Sequence, residues 1–394
     1  MKIAFVVGGL YSLANGVAWI MRDLAAALGR AGSPVDVYAA ECYGRGKAPI
    51  GHIFDRPTQW IARKGLWLGG LSWAPTLKPV IQQAVAEHDI IHNHSVWMLP
   101  NSYSSRSAKR FGKPVVITAH GILEPWALAH SRWKKQLVGA MFQQRELLEA
   151  DCLQTNSLSE VEGIRQYGIK SPVAIIPNGV DLEVLDQPAD RSLLEAQYPE
   201  LKGKRLILFM ARLHVKKGLE HLLTAWGQLA PRHPDWHLVI GGPDNGYEHQ
   251  ARAIAAAQSL ERRVTFTGNL QNEMSRAARQ SAEIFAQPSF SEGFSMSILE
   301  SMAAGCPVLI TPGCNFPQVK QERAGVIVDP NTQATTAGLE QLLNMSDSER
   351  TEMGARGRHL IETHYTWDIV AEQTLALYHW LLGNSPRPDF IIDG

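Results

Sequence analysis

The chain has little cysteine and no long apolar run. Its 394 residues include four cysteines, and none of them form a C-x-x-C pair. Isolated cysteines of this kind point to reduced side chains and a cytoplasmic protein. Only five apolar residues, Ile3 to Val7, follow Met1-Lys2 before Gly8-Gly9, which is too few for a signal peptide. No stretch approaches the roughly 18 apolar residues that a membrane span needs.

Two further absences narrow the function. No dinucleotide fingerprint G-x-G-x-x-G follows the first apolar run, which disfavours a nicotinamide-dependent dehydrogenase. His92 and His94 would point to the same side of an extended strand, but no third metal ligand is evident near them. We therefore expect neither a metal nor another cofactor.

Net charge is also absent, although the charges are unevenly distributed. Residues 1–185 contain 19 Lys+Arg against 14 Asp+Glu, and the remainder contains 19 against 24. The stretch from Arg56 to Lys135 contains 11 basic and 3 acidic residues, together with six of the eleven tryptophans. This mixture is typical of a surface that rests on anionic lipid headgroups, although core tryptophans beside solvated charges would give the same composition. No nucleic-acid-binding motif accompanies the basic stretch, so we expect no nucleic acid partner.

Short apolar runs alternate with helical stretches along the whole chain. This alternation indicates parallel sheets that are covered by helices on both sides. The runs form one set from Ile3–Val7 to 173–176 and a second set from 206–210 to 326–328. A chain of 394 residues is long enough for two domains of ordinary size, each with its own core. We expect the tail segment from Ser385 to Asp389 to be frayed.

Two carboxylates in the second half flank a glycine turn that opens a predicted helix. Glu292 lies at the mouth of this helix, and Glu300 lies more than one turn further along. The backbone amides of Gly293, Phe294 and Ser295 would form the helix N-terminus, which attracts phosphate oxygens. A carboxylate can accept hydrogen bonds from two neighbouring hydroxyls, which a ribose offers. The pattern suits a sugar joined to a diphosphate and a ribose; a capping glutamate beside a solvated one is the alternative.

A basic loop upstream supplies the matching cations. The apolar run 206–210 leads into Arg212 and Lys217. At the carboxyl edge of a strand these residues are placed to grip a diphosphate, the arginine as a fork and the lysine as a point charge. Gly242 and Asn269 follow the next two apolar runs. A solvated basic turn is the alternative interpretation of the loop.

The first half carries a looser set of candidate residues. Gly9 and Gly16 flank the loop between the first strand and its helix, where glycines allow close backbone approach. His120 follows the strand Val115–Thr118 at its carboxyl edge, where α/β enzymes bind ligands. A core histidine is the alternative there. We expect His94 to line the ligand-binding cleft at this edge of the sheet.

The paired glutamates and the Arg/Lys loop together resemble the retaining glycosyltransferases of family 4, and the likeness covers nearly the whole chain. The resemblance implies an α/β protein with the GT-B fold, in which two Rossmann-like parallel-sheet domains face each other across a cleft. The first domain would span 1–185, completed by a C-terminal helix that crosses back within 367–394, and the second would span 186–366. The run after His120 resembles bacterial members that build exopolysaccharide or O-antigen repeats.

The resemblance also implies a reaction. The enzyme would move a sugar from a nucleoside-diphosphate sugar to a saccharide acceptor, expected to be linked to polyprenyl diphosphate, without a metal. Arg212 and Lys217 would neutralise the leaving diphosphate, Glu292 would hold sugar hydroxyls, Glu300 would hold the ribose diol, and His120 would contact the sugar from the opposite domain. The remaining donor-binding positions would be Gly9, Gly16, Gly242, Asn269, Gly293, Phe294 and Ser295.

Other functions and several details stay open. A GT-B sugar-nucleotide epimerase would bind the same donor without an acceptor, and a non-catalytic partner subunit would bind it without turnover. Gln318 stands where many relatives have a glutamate, and the residues do not distinguish UDP, GDP and ADP donors. We expect a cytoplasmic protein that associates with the inner face of the membrane.

Overall fold

The computed structural model describes residues 1–9, 16–41, 59–66, 72–123 and 143–394. The chain divides into two compact units. The first unit comprises Met1–Gly179 and Trp367–Gly394, and the second comprises Val180–Thr366. The sequence analysis had placed the first boundary a little later, at residue 185.

The first unit is built on a nearly parallel sheet. Its strands are β1 (Ile3–Val7), β2 (Val35–Glu41), β3 (Gln59–Lys64), β4 (Ile90–His94), β5 (Val115–Thr118), β6 (Cys152–Thr155), β7 (Val173–Ile175) and β14 (Ile391–Ile392). They lie in the order β14-β7-β6-β5-β4-β1-β2-β3, and only β14 is antiparallel to its neighbour. Strands β1, β4, β5 and β6 are fully buried. Burial on both faces explains why β1 and β5 are continuous apolar runs and not alternating patterns, whereas β4 and β6 also bury polar side chains.

Helices cover both faces of this sheet. They are α1 (Gly16–Arg30), α2 (Leu77–Glu87), α3 (Leu99–Phe111), α4 (Gln144–Leu148), α5 (Leu158–Gln166) and the last helix, α15 (Trp367–Leu381). Helices α1 and α15 pack against each other and share one hydrophobic cluster with β1. Helices α2 to α5 supply the cluster on the other face. The last helix therefore belongs to the first unit, as the resemblance implied.

The end of the chain is bonded back to the first unit, although residues 385–389, which were predicted to fray, form no helix or strand. Ile391 and Ile392 pair with β7 and extend the sheet by one antiparallel strand. The guanidinium of Arg165 donates a hydrogen bond to the carbonyl of Asp393 at 2.9 Å. Arg387 donates to the carbonyl of Ile391 at 2.8 Å. These bonds hold a segment whose prolines and polar residues gave no strand pattern.

The second unit repeats the architecture with a fully parallel sheet. Its strands are β8 (Arg205–Met210), β9 (Trp236–Gly241), β10 (Val264–Gly268), β11 (Ala282–Gln287), β12 (Val308–Ile310) and β13 (Gly325–Ile327). Their order is β10-β9-β8-β11-β12-β13. The helices are α6 (Leu182–Leu185), α7 (Arg191–Gln197), α8 (Leu219–Leu229), α9 (Glu248–Ala257), α10 (Asn272–Ser281), α11 (Met296–Ala303), α12 (Gln318–Gln321), α13 (Thr332–Asn344) and α14 (Asp347–His364).

Each sheet has one point at which the chain changes direction across it. Strand β1 lies between β2 and β4, and strand β8 lies between β9 and β11. In open α/β sheets, ligands bind beyond the carboxyl ends of the strands at such a switch point. The topology therefore directs attention to the loops after β1 and β4 in the first unit, and after β8 and β11 in the second.

Candidate functional site

Lys217 and Glu292 form an ion pair beyond the ends of β8 and β11. The lysine Nζ lies 2.7 Å from Oε1 and 2.8 Å from Oε2 of the carboxylate. The two side chains are 13% and 8% exposed. The sequence analysis gave these residues separate roles, and the structure brings them into direct contact. Because an ammonium group has three N–H donors, this pairing leaves one for another ligand.

The carboxylate of Glu292 is held asymmetrically. Gln287 donates to Oε1 at 3.0 Å and Ser289 donates to the same oxygen at 2.6 Å, in addition to Lys217. Within the described residues, Oε2 accepts a bond only from Lys217. A carboxylate oxygen offers about two lone-pair sites. A ligand hydroxyl can therefore bind at Oε2, whereas Oε1 is already saturated.

The loop after β8 packs directly on the loop after β11. Gly218 has a φ of +65°, and a Cβ at this position would lie 1.9 Å from the carbonyl oxygen of Pro288. The backbone N–H of Phe290 donates to the carbonyl of Lys216 at 2.8 Å. Only glycine combines this backbone conformation with so close an approach. The contact fixes Lys217 relative to the segment that carries Glu292.

Free backbone amides lie next to this pair. Helix α11 begins at Met296 with Ser295 as its N-cap residue. Within the described structure, no hydrogen bond is donated by the amides of Gly293, Phe294 or Ser295. The ring of Phe294 packs against Phe316. The backbone N–H of Phe294, and not its ring, is therefore the group that a ligand can bind. Amides at a helix N-terminus are a favourable place for an anion.

Glu300 has a partner that the sequence analysis missed. It forms an ion pair with Arg279 of α10, whose side chain is only 8% exposed while that of Glu300 is 29% exposed. Arg279 also donates to the carbonyl of Ser275 at 3.3 Å. One carboxylate oxygen, Oε1, takes no hydrogen bond from the described residues. An arginine in a polar helix gives no sequence signal that distinguishes such a role from a solvated charge.

The other predicted residues of the second unit lie at the same sheet edge. Arg212 and Asn269 are exposed after β8 and β10. Gly242 follows β9 with a φ of +138°, and a Cβ there would lie 1.9 Å from the carbonyl oxygen of Ala211. Its N–H donates to the carbonyl of Gly268 at 2.7 Å. The fold thus gathers the predicted donor residues of this unit around one edge.

Three histidines stack at the carboxyl ends of β4 and β5 in the first unit. The ring centroids of His92 and His94 are 4.2 Å apart, and those of His94 and His120 are 5.3 Å apart. Nδ1 of His94 lies 3.1 Å from Nε2 of His120. His92 uses both ring nitrogens within the core, on the hydroxyls of Tyr378 at 2.5 Å and Thr118 at 2.6 Å.

Burial keeps these imidazoles neutral. It lowers the pKa of His92 to about 3 and the pKa of His120 to about 4. It also lowers the pKa of His94 well below its usual value, and the two neighbouring histidines add to this effect. A neutral imidazole offers one hydrogen-bond donor and one acceptor. The stack can therefore position polar groups without bringing a charge.

The turn that carries His120 is constrained. His120 has a φ of +55°, which is uncommon for a residue other than glycine. The N–H of the following residue, Gly121, donates to the carboxylate of Glu160 at 2.6 Å. Strained backbone of this kind persists where surrounding structure determines it, and it concentrates at functional sites.

The predicted glycines of the first unit lie at the same edge. Gly9 is buried directly after β1, and Gly16 is the exposed first residue of α1. The loop between them, residues 10–15, lies outside the described residues. A Cβ on the neighbouring Gly8 would lie 2.1 Å from the Met98 side chain, so the segment after β4 packs closely on the end of β1.

The basic, tryptophan-rich stretch is only partly a surface. Trp60 and Trp97 are partly buried and pack against the hydrophobic clusters of the first unit. Leu66 and Trp73 are 57% and 40% exposed and are joined by backbone hydrogen bonds of 2.7 and 2.9 Å. The prediction also included Arg56, Trp67, Trp126, Trp133 and Lys135, which lie outside the described residues.

Other candidate sites are few in the described part of the chain. No three His, Cys, Asp or Glu side chains gather there as a metal site would require. Among the described helices, none combines the length and apolarity needed to cross a membrane. A cavity of about 510 Å³ lies beside α3 and α4 in the first unit and includes Ser105, Lys109 and Glu146, but none of the predicted site residues.

The fold and the clustering of polar groups at two switch points define a GT-B glycosyltransferase. The family model described as "Glycosyltransferase Family 4" matches residues 14–184, and the model "Glycosyl transferases group 1" matches residues 190–360. The chain therefore belongs to the family 4, group 1 glycosyltransferases, as the sequence motifs indicated. This match also confirms the predicted class of activity, that of a glycosyltransferase.

Individual relatives and solved structures agree with this assignment. The chain is 27% identical over 318 residues to D-inositol 3-phosphate glycosyltransferase of Nocardia farcinica, covering 77% of this chain and 69% of the relative. It is 25% identical over 309 residues to GDP-mannose:cellobiosyl-diphosphopolyprenol alpha-mannosyltransferase of Xanthomonas oryzae pv. oryzae, covering 78% of each.

Two solved structures share the fold over nearly the full length. Sucrose-phosphate synthase from Thermosynechococcus elongatus is similar with a TM-score of 0.75 and 21% identity, over 98% of this chain and 100% of that one. HepE of Anabaena, solved in complex with UDP and glucose, has a TM-score of 0.74 and 18% identity over the same shares. These likenesses confirm the predicted GT-B fold.

Proposed function

We propose that the protein transfers a sugar, with retention of anomeric configuration and without a metal, from a nucleoside-diphosphate sugar to a saccharide acceptor. The observation that carries the proposal is the buried Lys217–Glu292 pair, which lies beside the free amides of residues 293–295 at the switch point of the second sheet. Together they offer cationic and amide donors for a diphosphate and a carboxylate oxygen for a sugar hydroxyl.

The proposed reaction needs no nucleophile from the protein. The bond between the anomeric carbon and the diphosphate oxygen breaks, and the acceptor oxygen bonds to the same face of the sugar. The departing phosphate oxygen takes the proton of the acceptor hydroxyl. Arg212, the remaining N–H of Lys217 and the amides stabilise the charge that develops on the diphosphate. Because these groups already neutralise it, a divalent cation has no necessary part.

The remaining residues would hold the donor in place. Glu292 would accept a sugar hydroxyl at Oε2, the oxygen that has lone pairs to spare. Glu300 would accept from the ribose diol with its unoccupied Oε1, while the ion pair with Arg279 holds the carboxylate in place. We assign His120 to the transferred sugar, as a neutral hydrogen-bonding group.

We further propose a lipid-linked acceptor and a role in bacterial surface polysaccharide synthesis. The Xanthomonas relative is named for a diphosphopolyprenol-linked acceptor. A relative from Mycobacterium tuberculosis, 26% identical over 314 residues, is named for a phosphatidylinositol mannoside. Both acceptors are lipids that carry a polar headgroup. The exposed Leu66 and Trp73 beside the basic end of β3 fit a cytoplasmic enzyme that rests on an anionic membrane surface.

The proposal is tested first by ligand binding and then by product analysis. UDP-, GDP- and ADP-sugars are screened for thermal stabilisation, where a ligand at a hundred times its Kd adds about 2.7 kcal/mol. With the donor found, NMR of the glycoside formed should show the anomeric configuration of the donor, and EDTA should leave the rate largely unchanged. Inverted product or strict dependence on added magnesium would contradict the proposed mechanism. A new sugar nucleotide formed without acceptor would indicate an epimerase, and binding without any turnover a partner subunit.

Substitution of the two glutamates should have different effects on nucleotide binding and on transfer. Glu300→Gln should weaken the binding of the free nucleoside diphosphate as well as that of the donor, because it removes a charged acceptor from the ribose. Glu292→Gln should spare nucleotide binding and reduce transfer. Calorimetry with the nucleoside diphosphate and initial rates with the donor make the comparison. Equal loss of nucleotide affinity in both variants would show that the assigned roles are wrong.

A further inference from the structure

The contact between His94 and His120 assigns a role to a residue that lies beside the proposed site. We infer that His94 is a positioning residue: it sets the tautomer of His120, so that Nδ1 of His120 carries the proton and donates it in a hydrogen bond to an oxygen of the substrate. This inference rests on the proposed function only for the identity of that substrate.

The hydrogen bond between the two imidazoles links their protonation. Nδ1 of His94 and Nε2 of His120 are 3.1 Å apart, so one of them donates and the other accepts. If His94 donates, the proton of His120 must be on its Nδ1, and Nε2 of His94 is a bare lone pair. If His120 donates, its Nδ1 is the bare lone pair, and His94 carries its proton on Nε2.

The two ring nitrogens outside this bond have different surroundings. Nε2 of His94 and Nδ1 of His120 are both buried, and neither has a hydrogen-bond partner in the part of the chain that the structure describes. His94 is 1% exposed and lies between the rings of His92 and His120, with the ring of Phe5 at 4.5 Å. His120 is only half-buried. A ligand can therefore reach His120 more readily than His94.

The two arrangements differ in which buried nitrogen carries a proton without an acceptor. A buried N–H without an acceptor is the rarer and costlier defect, whereas an acceptor without a donor is tolerated more often. Donation from His120 would strand the N–H of His94 in the ring stack. Donation from His94 leaves a lone pair there instead and places the N–H on Nδ1 of His120. That atom is also buried, but it belongs to the more exposed of the two side chains, which a substrate oxygen can approach to accept the hydrogen bond. The second arrangement is the one that the packing favours.

The third ring does not take part in this exchange. Both nitrogens of His92 are already bonded, to Tyr378 and to Thr118. His92 is as buried as His94, lies on the same strand and differs in having no hydrogen bond to His120. It therefore provides a matched control for any substitution of His94.

The direct test is NMR of the protein labelled with ¹⁵N-histidine, since two-bond couplings show which ring nitrogen carries the proton. In the wild type, His120 should be protonated on Nδ1. His94→Phe, which has no hydrogen-bonding group, should abolish this preference; His94→Asn, whose amide can donate from nearly the same place, should restore it. His92→Asn should leave the His120 signal unchanged. Protonation of His120 on Nε2 in the wild type, or an unaltered tautomer in His94→Phe, would overturn the inference.

Kinetics provide the second readout. With the donor identified, His94→Phe should lower kcat by about 10²-fold, a loss of the size seen when one preorganised donor is removed, with little change in the KM for the donor. His94→Asn should recover most of kcat, and His92→Asn should retain it. Unchanged binding of the nucleoside diphosphate shows that the second unit is intact, and thermal unfolding of each variant checks the fold of the first unit, which carries the substitutions. Equal kcat losses in His94→Asn and His94→Phe would show that His94 contributes packing and does not set the tautomer of His120.

The two hypotheses fail separately. An absence of turnover in the wild-type protein with every donor would remove the proposed function, while the tautomer measurement would still be decided by NMR. Normal transfer with an Nε2-protonated His120 would keep the proposed function and remove the role of His94.

Discussion

At the scale of single residues, the two cations of the proposed donor site differ in how the protein holds them. Lys217 is buried and bonded to both oxygens of Glu292, so its position is set before a ligand arrives. Arg212 is exposed and forms no ion pair in the described structure. A preorganised charge stabilises a developing charge without the cost of reorganisation, whereas a solvated arginine must be ordered by the ligand itself.

This difference predicts distinct outcomes for two alanine variants. Arg212→Ala and Lys217→Ala should each lower turnover by about 10²–10³-fold, because each removes a group that stabilises the leaving diphosphate. Lys217→Ala should also lower Tm, since it leaves the buried carboxylate of Glu292 without its cation. Arg212→Ala should leave Tm unchanged. Initial rates and thermal unfolding measure the two effects, and Lys202→Ala, an exposed lysine of the same unit, is the control. Unchanged kinetics in either site variant would refute its role.

A second residue, Glu146, makes the stability of the first unit depend on pH. Burial raises the pKa of its carboxyl to about 8. It accepts hydrogen bonds from Ser105 at 3.2 Å and Asn93 at 3.5 Å through Oε1, while Oε2 is buried without a partner in the described structure. The folded protein therefore holds a proton on Glu146 that the unfolded chain releases near the ordinary glutamate pKa of 4.5. The stability from this site is present below about pH 4.5 and is lost as the pH rises toward 8.

The substitution Glu146→Gln should remove this dependence. Glutamine resembles the protonated carboxyl and does not ionise, so the variant should match the wild type near pH 5 and exceed its Tm at pH 8 and above. Each kcal/mol corresponds to a shift of about 2–4 °C for a domain of 150–250 residues. Thermal unfolding from pH 5 to 9 measures the difference. The control is Glu149→Gln, because Glu149 is a nearby exposed glutamate that pairs with Lys109. A Tm difference that does not grow with pH would contradict the assignment.

At the scale of elements, the sequence predicts every strand of the second sheet and most strands of the first, and it misses β3 and β14, the two edge strands of the first sheet. The predicted strands all exist, with ends displaced by a residue or two, because each is a short apolar run bounded by polar turns. Strand β3 lies at one edge of its sheet, and its sequence from Gln59 to Lys64 alternates weakly and is rich in charge. Strand β14 is two residues long and follows a proline-containing tail. An edge position alone does not hide a strand, because β10 and β13 at the edges of the second sheet were predicted. Strands β3 and β14 were missed because charged residues or prolines flank their few apolar residues.

The same limit applies to the site. Glu292, Gly293 and the helix that follows can be predicted because a local pattern contains them. The Lys217–Glu292, Arg279–Glu300 and His94–His120 contacts join elements that are distant along the chain. Which side chains meet depends on strand order and register, and neither is contained in a local pattern. Sequence motifs therefore locate the candidate residues, and the fold decides how they are paired.

Gly218 provides an element-scale prediction. An alanine there would place its Cβ 1.9 Å from the Pro288 carbonyl and would push the loops after β8 and β11 apart. Gly218→Ala should therefore lose activity by displacing Lys217 from Glu292, in addition to the cost of the positive φ. Gly246→Ala is the matched control, since Gly246 has a φ of +87° with no atom within 4 Å of the added Cβ. It should show only the backbone cost, about 1–2 kcal/mol, and retain its turnover.

Rates and Tm values of the two glycine variants separate strain from displacement. Similar activity losses in both would show that backbone strain alone is responsible. Full activity in Gly218→Ala would show that the two loops can separate without consequence, and that their packing does not position the ion pair.

At the scale of the whole molecule, the division into two units coincides with a division of charge. The first unit contains 20 Lys+Arg against 16 Asp+Glu, and the second unit contains 18 against 22. Helix α15 returns the end of the chain to the basic unit, where Arg30 pairs with Asp368 at 2.8 Å and Tyr378 bonds His92. An enzyme with a lipid-linked acceptor needs one unit that approaches the membrane, and the basic unit is the one suited to it.

This reasoning predicts that the first unit binds reversibly to anionic membranes. Arg63 and Lys64 are exposed at the end of edge strand β3, next to the exposed Leu66 and Trp73. Each basic residue near an anionic surface contributes about 1 kcal/mol, so a few of them give reversible binding and not anchoring. Salt should release the protein, because exposed charges are screened beyond about 8 Å at physiological ionic strength.

Liposome co-sedimentation at low and high salt measures this binding. The wild type should sediment with anionic vesicles at low salt and remain free with neutral vesicles. The double variant Arg63→Glu/Lys64→Glu should bind less, and Trp73→Ser should weaken the interaction that persists at intermediate salt, because the ring supplies apolar contact with the interface. The control Lys202→Glu/Arg262→Glu makes the same charge change at exposed positions of the second unit and should bind as the wild type does. No binding to anionic vesicles at low salt, together with full activity on a soluble saccharide, would mean that the basic residues are a solvated face and the tryptophans are part of the core.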